Sequence, residues 1–365
     1  MRSMLSKQSN TGFTRGRFIA MTGAALLFTM AWMPSEAWAK KGMNKYAQVN
    51  LVSDVPGLAV IEDANLVNPW GMSFSASSPF WVSDNGTGVA TLYSVTNDTI
   101  TKLDLVVAVP GDGVTGQAFS GGTFASENFL FVTEDGTISG WRGALGTNAE
   151  VLATREGAVY MGATVAQTAN GPMLLVANFA EATVDVYDTN VTLVAQLSDT
   201  NVPDGYGPFN VQALGDRVYV AYAKQNEEKE DEVVGEGFGL VDILDPNSGQ
   251  FQRFATGKDA GGRLNDINAP WGMALAPETF GKHAGDLLVG NFGSGTIMTF
   301  DPETGDYRGL LRSDHGKSVV IEGLWALAFG NGGRGGDPDK LYFTAGIDDE
   351  AHGLFGSLEP VGSGD

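Results

Sequence analysis

The chain contains three histidines and no cysteine, which limits the chemistry that its side chains can perform. His283, His315 and His352 show no His-x-x-x-His spacing, so a histidine-built zinc site is not expected. The absence of cysteine excludes disulfides, thiolate metal sites and cysteine nucleophiles. His315 precedes Glu322 by a short segment, and a single histidine there can act as a general acid or base. His315 is therefore the candidate catalytic residue, the alternative being an exposed loop histidine.

Four residues with side-chain oxygens precede or begin short apolar strands at widely separated points of the chain. They are Asn68, Asn210, Asn268 and Glu322. Ca²⁺ takes roughly six to eight oxygen ligands, including amide carbonyls, so a fold that joins these strand starts predicts a calcium site. Alternatively, the asparagines cap turns and Glu322 faces water. Asn68 and Asn268 are not equivalent relative to Trp70 and Trp271, which counts against a shared role.

Aromatic residues recur at one position of these segments. Trp70, Trp271 and Trp325 each precede a glycine or an alanine and then an apolar run, and Phe209 holds the same place in a weaker copy. Periodic aromatic residues of this kind pack between repeated units or line a channel. The four residues are therefore predicted either to pack between repeats or to bind a sugar or another flat ligand.

The segments around these aromatic residues belong to a repeat that extends along the chain. Asn68–Phe74 returns as Ala269–Leu275 and, more loosely, as Gly323–Phe329. A short apolar second strand follows each copy, then an alternating third strand such as Thr183–Tyr187 and a turn such as Asp301–Gly305. A fourth strand completes the unit. Four antiparallel strands per repeat are typical of a propeller blade.

Six such units predict an all-β fold, a six-bladed β-propeller of four-stranded antiparallel blades. The blades are expected to start near residues 68, 119, 160, 207, 268 and 322. The sixth blade has only three strands before the chain ends, so Tyr46–Asp54 is predicted to supply its missing outer strand. This closure joins the two ends of the chain and leaves no unpaired central edge. The alternative is a pair of β-sandwiches, which rarely repeat one tryptophan–glycine strand start.

Charge and composition narrow the possible functions. The 365 residues include 22 Lys and Arg against 43 Asp and Glu, a formal net charge of −21. Such a surface does not suit nucleic acid, which requires a positive face. The acidic segment 225–236 interrupts the fourth blade between its second and third strands. We interpret it as a solvated loop, the alternative being a contact with a cation or a partner.

Residues 1–39 have the pattern of a secretory signal peptide. Basic residues between Arg2 and Arg17 precede the uncharged apolar stretch Phe18–Met33, and Ala37–Ala39 provides a small-residue cleavage pattern. The apolar stretch is short for a bilayer span. The sequence therefore predicts export to the periplasm or the external medium, no transmembrane anchor after cleavage, and one monomeric propeller domain in residues 40–365.

The strand pattern resembles that of the NHL-type propellers. Pro270–Ala274, Leu287–Asn291 and Thr296–Asp301 match that family's first, second and third strands in order. The openings Asn50–Asp54 and Asn68–Gly71 more closely resemble an uncharacterised family of exported bacterial six-bladed propellers. The resemblance implies protein or ligand binding. The related calcium-dependent lactonase and esterase propellers imply hydrolysis at a central metal, and the streptogramin-lyase-like propellers imply metal-assisted elimination with a catalytic histidine.

These observations favour an exported propeller that binds a small molecule or a protein at the mouth of its central channel, because no catalytic constellation stands out. This hypothesis requires no cofactor. The alternative is a calcium-dependent hydrolase of the lactonase or esterase type, with the four oxygen-bearing residues as metal ligands. A third hypothesis is a metal-assisted lyase that uses His315 as its base.

Overall fold

The computed structural model describes residues 44–256 and 267–362, and within them the chain forms a six-bladed β-propeller. The predicted signal peptide, residues 1–39, lies outside the described residues. In blades two to five, four antiparallel strands run outward in chain order, from a first strand at the central channel to a last strand at the rim. In blade one a fifth strand pairs with the third, and blade six takes its outer strands from the N-terminal part of the described chain. The fold class predicted from the repeat is confirmed.

The strands follow the chain in blade order. Two strands precede the first blade: β1 (Lys45–Ser53) and β2 (Ile61–Glu62). Blade one consists of β3 (Pro69–Ser73), β4 (Phe80–Asp84), β5 (Val89–Thr96), β6 (Thr99–Lys102) and β7 (Val107–Ala108). Blade two consists of β8 (Val114–Phe124), β9 (Glu127–Thr133), β10 (Thr137–Trp141) and β11 (Glu150–Thr154). Blade three consists of β12 (Tyr160–Thr168), β13 (Gly171–Asn178), β14 (Thr183–Tyr187) and β15 (Leu193–Leu197).

The second half of the ring repeats this plan. Blade four consists of β16 (Tyr206–Leu214), β17 (Arg217–Lys224), β18 (Gly239–Asp245) and β19 (Gln250–Thr256). Blade five consists of β20 (Pro270–Leu275), β21 (Leu287–Asn291), β22 (Ile297–Phe300) and β23 (Tyr307–Leu310). Blade six contains β24 (Leu324–Phe329), β25 (Leu341–Ile347) and β26 (His352–Val361). Short 3-10 turns occur at Asn85–Thr87, Gly143–Leu145 and Gly281–His283.

The start of blade two was the least accurate prediction. Its first strand begins at Val114 rather than near residue 119. The pairing of β8 with β9 is irregular at two places, between Val114 and Gln117 and between Phe119 and Phe124. These bulges interrupt the alternation of apolar residues on which the prediction relied. The other five blades begin within two residues of their predicted positions.

The ring closes where the two ends of the chain meet. β1 pairs antiparallel with β26, from Lys45 opposite Val361 to Ser53 opposite Leu354, and so becomes the fourth strand of blade six. The buried Tyr46 of β1 donates a hydrogen bond from its hydroxyl to the carbonyl of Phe280 in blade five (3.0 Å). The N-terminal strand therefore completes blade six, as the sequence predicts, and it also contacts the neighbouring blade.

Burial decreases from the inner strands to the rim, and this gradient explains the sequence pattern. Every residue of the second strands β4 and β21 is buried, because each blade packs face to face against both neighbours. Both strands therefore begin with three consecutive apolar residues, and their small or polar last residues are buried as well. The outer strands β11 and β15 contain no fully buried residue, so they tolerate polar and charged side chains.

The tryptophan–glycine pair of the repeat reflects how closely neighbouring first strands approach. A Cβ atom on Gly71 would lie 2.5 Å from the carbonyl oxygen of Thr115 in the next blade. A Cβ atom on Gly272 would lie 2.3 Å from the carbonyl oxygen of Trp325. Both distances are too short for a side chain, so glycine after tryptophan permits the strands to meet around the channel.

The ring has two faces that differ in their loops. The upper face is where the first strands begin, and because the strands alternate in direction it also carries the loops between second and third strands. The lower face is where the first strands end. On the upper face of blade four, the acidic segment 225–236 joins β17 to β18 as a short hairpin, with Val233 donating to the carbonyl of Lys224 (2.7 Å).

Candidate functional site

An aromatic cluster closes the middle of the central channel. Trp70, Phe209, Trp271 and Trp325, from blades one, four, five and six, are all buried. The rings of Trp70 and Trp325 stack with centroids 3.6 Å apart, and Trp70 meets the edges of Trp271 and Phe209 at 6.4 Å. Since blades one and four face each other across the ring, these contacts span the channel axis. We call these four side chains the aromatic plug.

Two indole nitrogens fasten the plug to the channel wall. Trp325 donates to the side-chain oxygen of Asn68 (3.0 Å), and Trp271 donates to the carbonyl of Met161 (3.2 Å). The indole nitrogen of Trp70 is buried without a hydrogen-bond partner among the described residues. Trp70 is therefore held by ring contacts. The sequence left two roles open for these four residues, packing between repeats or binding a flat ligand. The structure packs their rings against one another. The ligand-binding role stays a prediction.

Below the plug, the channel widens into a cavity of about 460 Å³. Residues from all six first strands line it, together with the turn after β16. Trp271 and Asn210 lie at the end nearest the plug. None of the described lining residues carries a charge, although the chain has 43 acidic residues. The lower half of the channel is therefore a neutral cavity in an acidic protein.

Apolar side chains surround the open end of this cavity. They come from blades one, two, four, five and six and form what we call the apolar collar: Phe74, Phe119, Leu214, Leu275 and Phe329. Phe119 is 39% exposed, and its ring lies 5.3 Å from that of Phe129. Three of the five stand four residues after a repeat tryptophan, so the repeat itself contained the signal. Sequence reasoning missed the collar because it treated the strand starts as the only ligand-facing positions.

Polar side chains inside the cavity connect neighbouring blades. Gln117 donates to the carbonyl of Gly71 (2.9 Å) and to the hydroxyl of Ser83 (3.0 Å), and accepts from Ser73 (2.9 Å). Thr164 and Gln212 each accept a hydrogen bond from a backbone N–H in the following blade. Buried polar groups are normally paired in this way. The first strands are thereby fixed around the cavity before any ligand binds.

The upper mouth of the channel, unlike the uncharged lower cavity, is lined by acidic side chains. Three partly buried carboxylates reach it from the loops between second and third strands of alternate blades: Glu134, Glu232 and Glu350. Burial raises the pKa of Glu134 to about 7 and the pKa of Glu232 to about 8, and the negative charge of Glu350 adds to both shifts. Burial also raises the pKa of Glu350. These carboxyl groups therefore hold protons more strongly than exposed ones.

Amide side chains connect this acidic mouth to the aromatic plug. Asn68 donates to Glu350 (2.6 Å) while its oxygen accepts from Trp325, and Asn85 donates to Glu134 (2.8 Å). Asn68 has a positive φ of 45°, a conformation that asparagine tolerates better than most residues. Among residues 44–256 and 267–362, no group of three or more His, Cys, Asp or Glu side chains is arranged to hold a metal ion.

The four predicted calcium ligands have different surroundings. Asn210 lies in the channel wall, where it donates to the carbonyl of Trp271 (2.8 Å) and accepts from its neighbour Val211. The side-chain oxygen of Asn268 accepts from the backbone of Gly235 in the acidic segment (2.7 Å). Asn68 contacts Glu350 and Trp325, and Glu322 is exposed. No recorded hydrogen bond joins any two of the four, and the calcium site stays a prediction.

The three histidines lie away from the plug and the cavity. The side chain of His315 is 85% exposed, and its loop contacts β1 at the rim, where Asp314 donates to the carbonyl of Tyr46 (3.1 Å). His283 is buried beside Asp286, with its Nδ1 2.9 Å from the carboxylate, and burial lowers its pKa. His352 contacts Asp54 at 2.6 Å, and this bond raises its pKa. No bond among the described residues joins His315 to the channel.

Comparison with known proteins identifies relatives of this propeller. No family model matches the chain. The uncharacterized protein R648 of Acanthamoeba polyphaga mimivirus is 30% identical over 331 residues, covering 84% of this chain and 78% of the relative. The chain belongs to the same family as this viral protein. A second member from the same virus, uncharacterized protein L690, is also 30% identical over 331 residues, and 84% of each chain is covered.

Solved structures with the same architecture share much less sequence with this family member. A structural genomics protein of unknown function from Bacteroides thetaiotaomicron has a TM-score of 0.55 at 12% identity, with 86% of this chain and 77% of that chain covered. The PQQ-bound aldose sugar dehydrogenase of Streptomyces coelicolor has a TM-score of 0.51 at 15% identity, with 87% and 99% covered. A streptogramin B lyase has a TM-score of 0.50 at 11% identity, with 87% and 97% covered.

At these identities the likeness shows the propeller fold alone. The resemblance to NHL-type and exported bacterial propellers is not tested by these relatives and stays a prediction. In the described part of the chain, no helix has the length and apolar character needed to cross a membrane.

Proposed function

We propose that this protein is an exported β-propeller that binds a small molecule in the lower cavity of its central channel. The observation that carries the proposal is a preformed space of about 460 Å³ that the aromatic plug closes at its inner end. Ligand cavities for small molecules typically measure roughly 300–1,000 Å³. The sequence placed the binding site at a mouth of the central channel and did not decide between the two faces of the ring.

The lining of the cavity favours binding over catalysis. The described lining residues include no Asp, Glu, His, Lys, Arg, Tyr or Cys side chain, so no general acid or base reaches the cavity. The hydroxyls of Ser73 and Thr164 have no basic neighbour that could activate them as nucleophiles. A rigid, uncharged space with an apolar collar is suited to holding a ligand, not to transforming it.

Export is the second element of the proposal, and it rests on the signal-like sequence of residues 1–39. A protein released into a dilute medium benefits from a binding site that needs no conformational change. The clamped first strands provide such a site, because the hydrogen bonds of Gln117, Thr164 and Gln212 fix the cavity wall in advance.

The test is a fluorescence titration of the purified protein with PRODAN, a neutral naphthalene ketone whose emission shifts to shorter wavelength in apolar surroundings. Ala328 lines the cavity in blade six, and Ala328→Trp places an indole there. We expect the variant to bind PRODAN about tenfold more weakly or worse, a change of ~1.4 kcal/mol. Ala351→Trp, an exposed position on the upper face of the same blade, is the matched control and is expected to bind normally.

Unchanged PRODAN affinity in a folded Ala328→Trp variant would refute the proposal. Weaker binding by Ala351→Trp alone would instead place the site on the upper face.

Removal of calcium separates this proposal from the hydrolase alternative. The hydrolase requires a metal held by residues such as Asn210 and Glu322, whereas the lower cavity contains no carboxylate. We therefore expect EDTA to leave the affinity for PRODAN unchanged. Calcium binding measured by calorimetry, and lost in an Asn210→Ala/Glu322→Gln variant, would support the hydrolase instead.

A further inference from the structure

The hydrogen-bonding capacity left over in the lower cavity indicates what kind of ligand fits it. The inner edges of the first strands present both N–H and C=O groups, so the backbone alone does not favour donors or acceptors. The side chains decide the balance. Ser73 and Gln117 bond to each other and to the wall, which uses the hydroxyl proton of Ser73 and both amide protons of Gln117.

Gln212 differs from Gln117 because the hydrogen bond that it makes uses its side-chain oxygen and not its amide protons. Its side-chain oxygen accepts from the backbone N–H of Met273 in blade five (3.3 Å), and this bond fixes which end of the amide is the oxygen. The amide nitrogen therefore faces away from that contact. Among the described residues no acceptor is recorded for it, although Gln212 lines the cavity and is partly exposed.

Thr164 repeats this arrangement one blade earlier. Its hydroxyl oxygen accepts from the backbone N–H of Ala213 (3.1 Å), next to Gln212 in the chain. Its hydroxyl proton has no recorded acceptor in the described residues. Two unused donors, one from each of two neighbouring blades, therefore line the same part of the cavity wall.

We propose, on the basis of the proposed binding function, that the lower cavity takes an uncharged ligand with a carbonyl-type oxygen, which accepts hydrogen bonds from Gln212 and Thr164. The apolar collar then covers the remainder of the ligand. A charged ligand is excluded, because no described lining residue could pair with the charge once water is removed. The net charge of −21 additionally disfavours anions.

The experiment compares PRODAN with N,N-dimethylnaphthylamine, its parent lacking the ketone. Wild-type protein is expected to bind PRODAN more tightly than N,N-dimethylnaphthylamine, by about three- to tenfold for each hydrogen bond to the ketone oxygen. Gln212→Met and Thr164→Val each remove one of the two donors, so each is expected to lower this affinity ratio by about three- to tenfold. Using the ratio cancels changes in cavity shape that affect both dyes equally.

Gln48→Met, on the exposed surface of β1, is the matched control and should keep the wild-type ratio. Circular dichroism establishes that each variant is folded, and Thr164→Val serves as the test if Gln212→Met is not. The anionic dye anilinonaphthalene sulfonate is expected not to displace PRODAN.

A ratio of about one in wild-type protein, or a ratio unchanged in both cavity variants, would overturn the inference while leaving the proposed function intact. Displacement of PRODAN by the anionic dye would overturn the requirement for an uncharged ligand. If neither neutral naphthalene binds to the wild type, the proposed function itself fails and this inference fails with it.

Discussion

At the scale of single residues, the repeated tryptophans and the glycines that follow two of them account for the structure of the central channel. Each repeat tryptophan contributes a ring to the plug, and the glycine after Trp70 or Trp271 admits the backbone of the next blade. The sequence predicted the shared position of these aromatic residues. It did not indicate that their rings meet on the axis, because a repeat shows equivalence between positions but not the distance across the ring.

The acidic upper mouth gives the protein a pH-dependent stability. Burial raises the pKa of Glu232 from 4.5 to about 8, so the folded state holds a proton that the unfolded state releases between these pH values. The free energy of unfolding therefore falls as pH rises from about 5 to 8. Glutamine mimics the protonated side chain. We expect Glu232→Gln to be more stable than wild type at pH 8.5 by about 2–4 kcal/mol, and equally stable at pH 5.

Urea unfolding at the two pH values measures this difference, and Glu228→Gln is the matched control. Glu228 is exposed in the same acidic segment, so its replacement should change stability by less than about 0.5 kcal/mol at either pH. Equal stability of Glu232→Gln and wild type at pH 8.5 would show that the carboxyl group is not buried as described.

At the scale of elements, the N-terminal strand β1 closes the ring by contacting two blades. β1 completes blade six, and Tyr46 extends from it to blade five. Asp54, directly after β1, accepts from the backbone of Gly353 (2.8 Å) and contacts His352. This closure was predictable because the sixth blade lacked a strand. The contact of Tyr46 with Phe280 was not, since it depends on how two blades pack.

Removing the Tyr46 side chain tests the importance of this closure. The residue is 1% exposed and its ring packs against Phe280 with centroids 4.7 Å apart. We expect Tyr46→Ala to lower the free energy of unfolding by about 3–5 kcal/mol, as for other large buried aromatic residues. Val49→Ala, on the same strand but at a partly exposed position, should change it by less than about 0.5 kcal/mol.

Both values come from chemical denaturation followed by tryptophan fluorescence. Similar small effects of the two substitutions would mean that β1 does not lock the ring.

At the scale of the whole molecule, the six-bladed ring was predictable from the sequence and the lower cavity was not. The order of strands follows from turn residues and alternating apolar positions, which are local properties of the chain. The cavity arises from side chains of six separate strands, among them Ser73, Gln117 and Gln212, whose neighbours are set only by the closed ring. The predicted calcium ligands illustrate the same limit, because Asn68, Asn210 and Asn268 take their hydrogen-bond partners from neighbouring blades.

A plug of aromatic rings separates an acidic upper mouth from a neutral lower cavity, and our central proposal is that this cavity binds a small molecule. The most direct measurement is a crystal structure of the protein with PRODAN bound. The account predicts the dye inside the apolar collar, with its ketone oxygen within hydrogen-bond distance of the Gln212 amide nitrogen. Dye bound at the upper mouth beside Glu232, with the lower cavity empty, would contradict it.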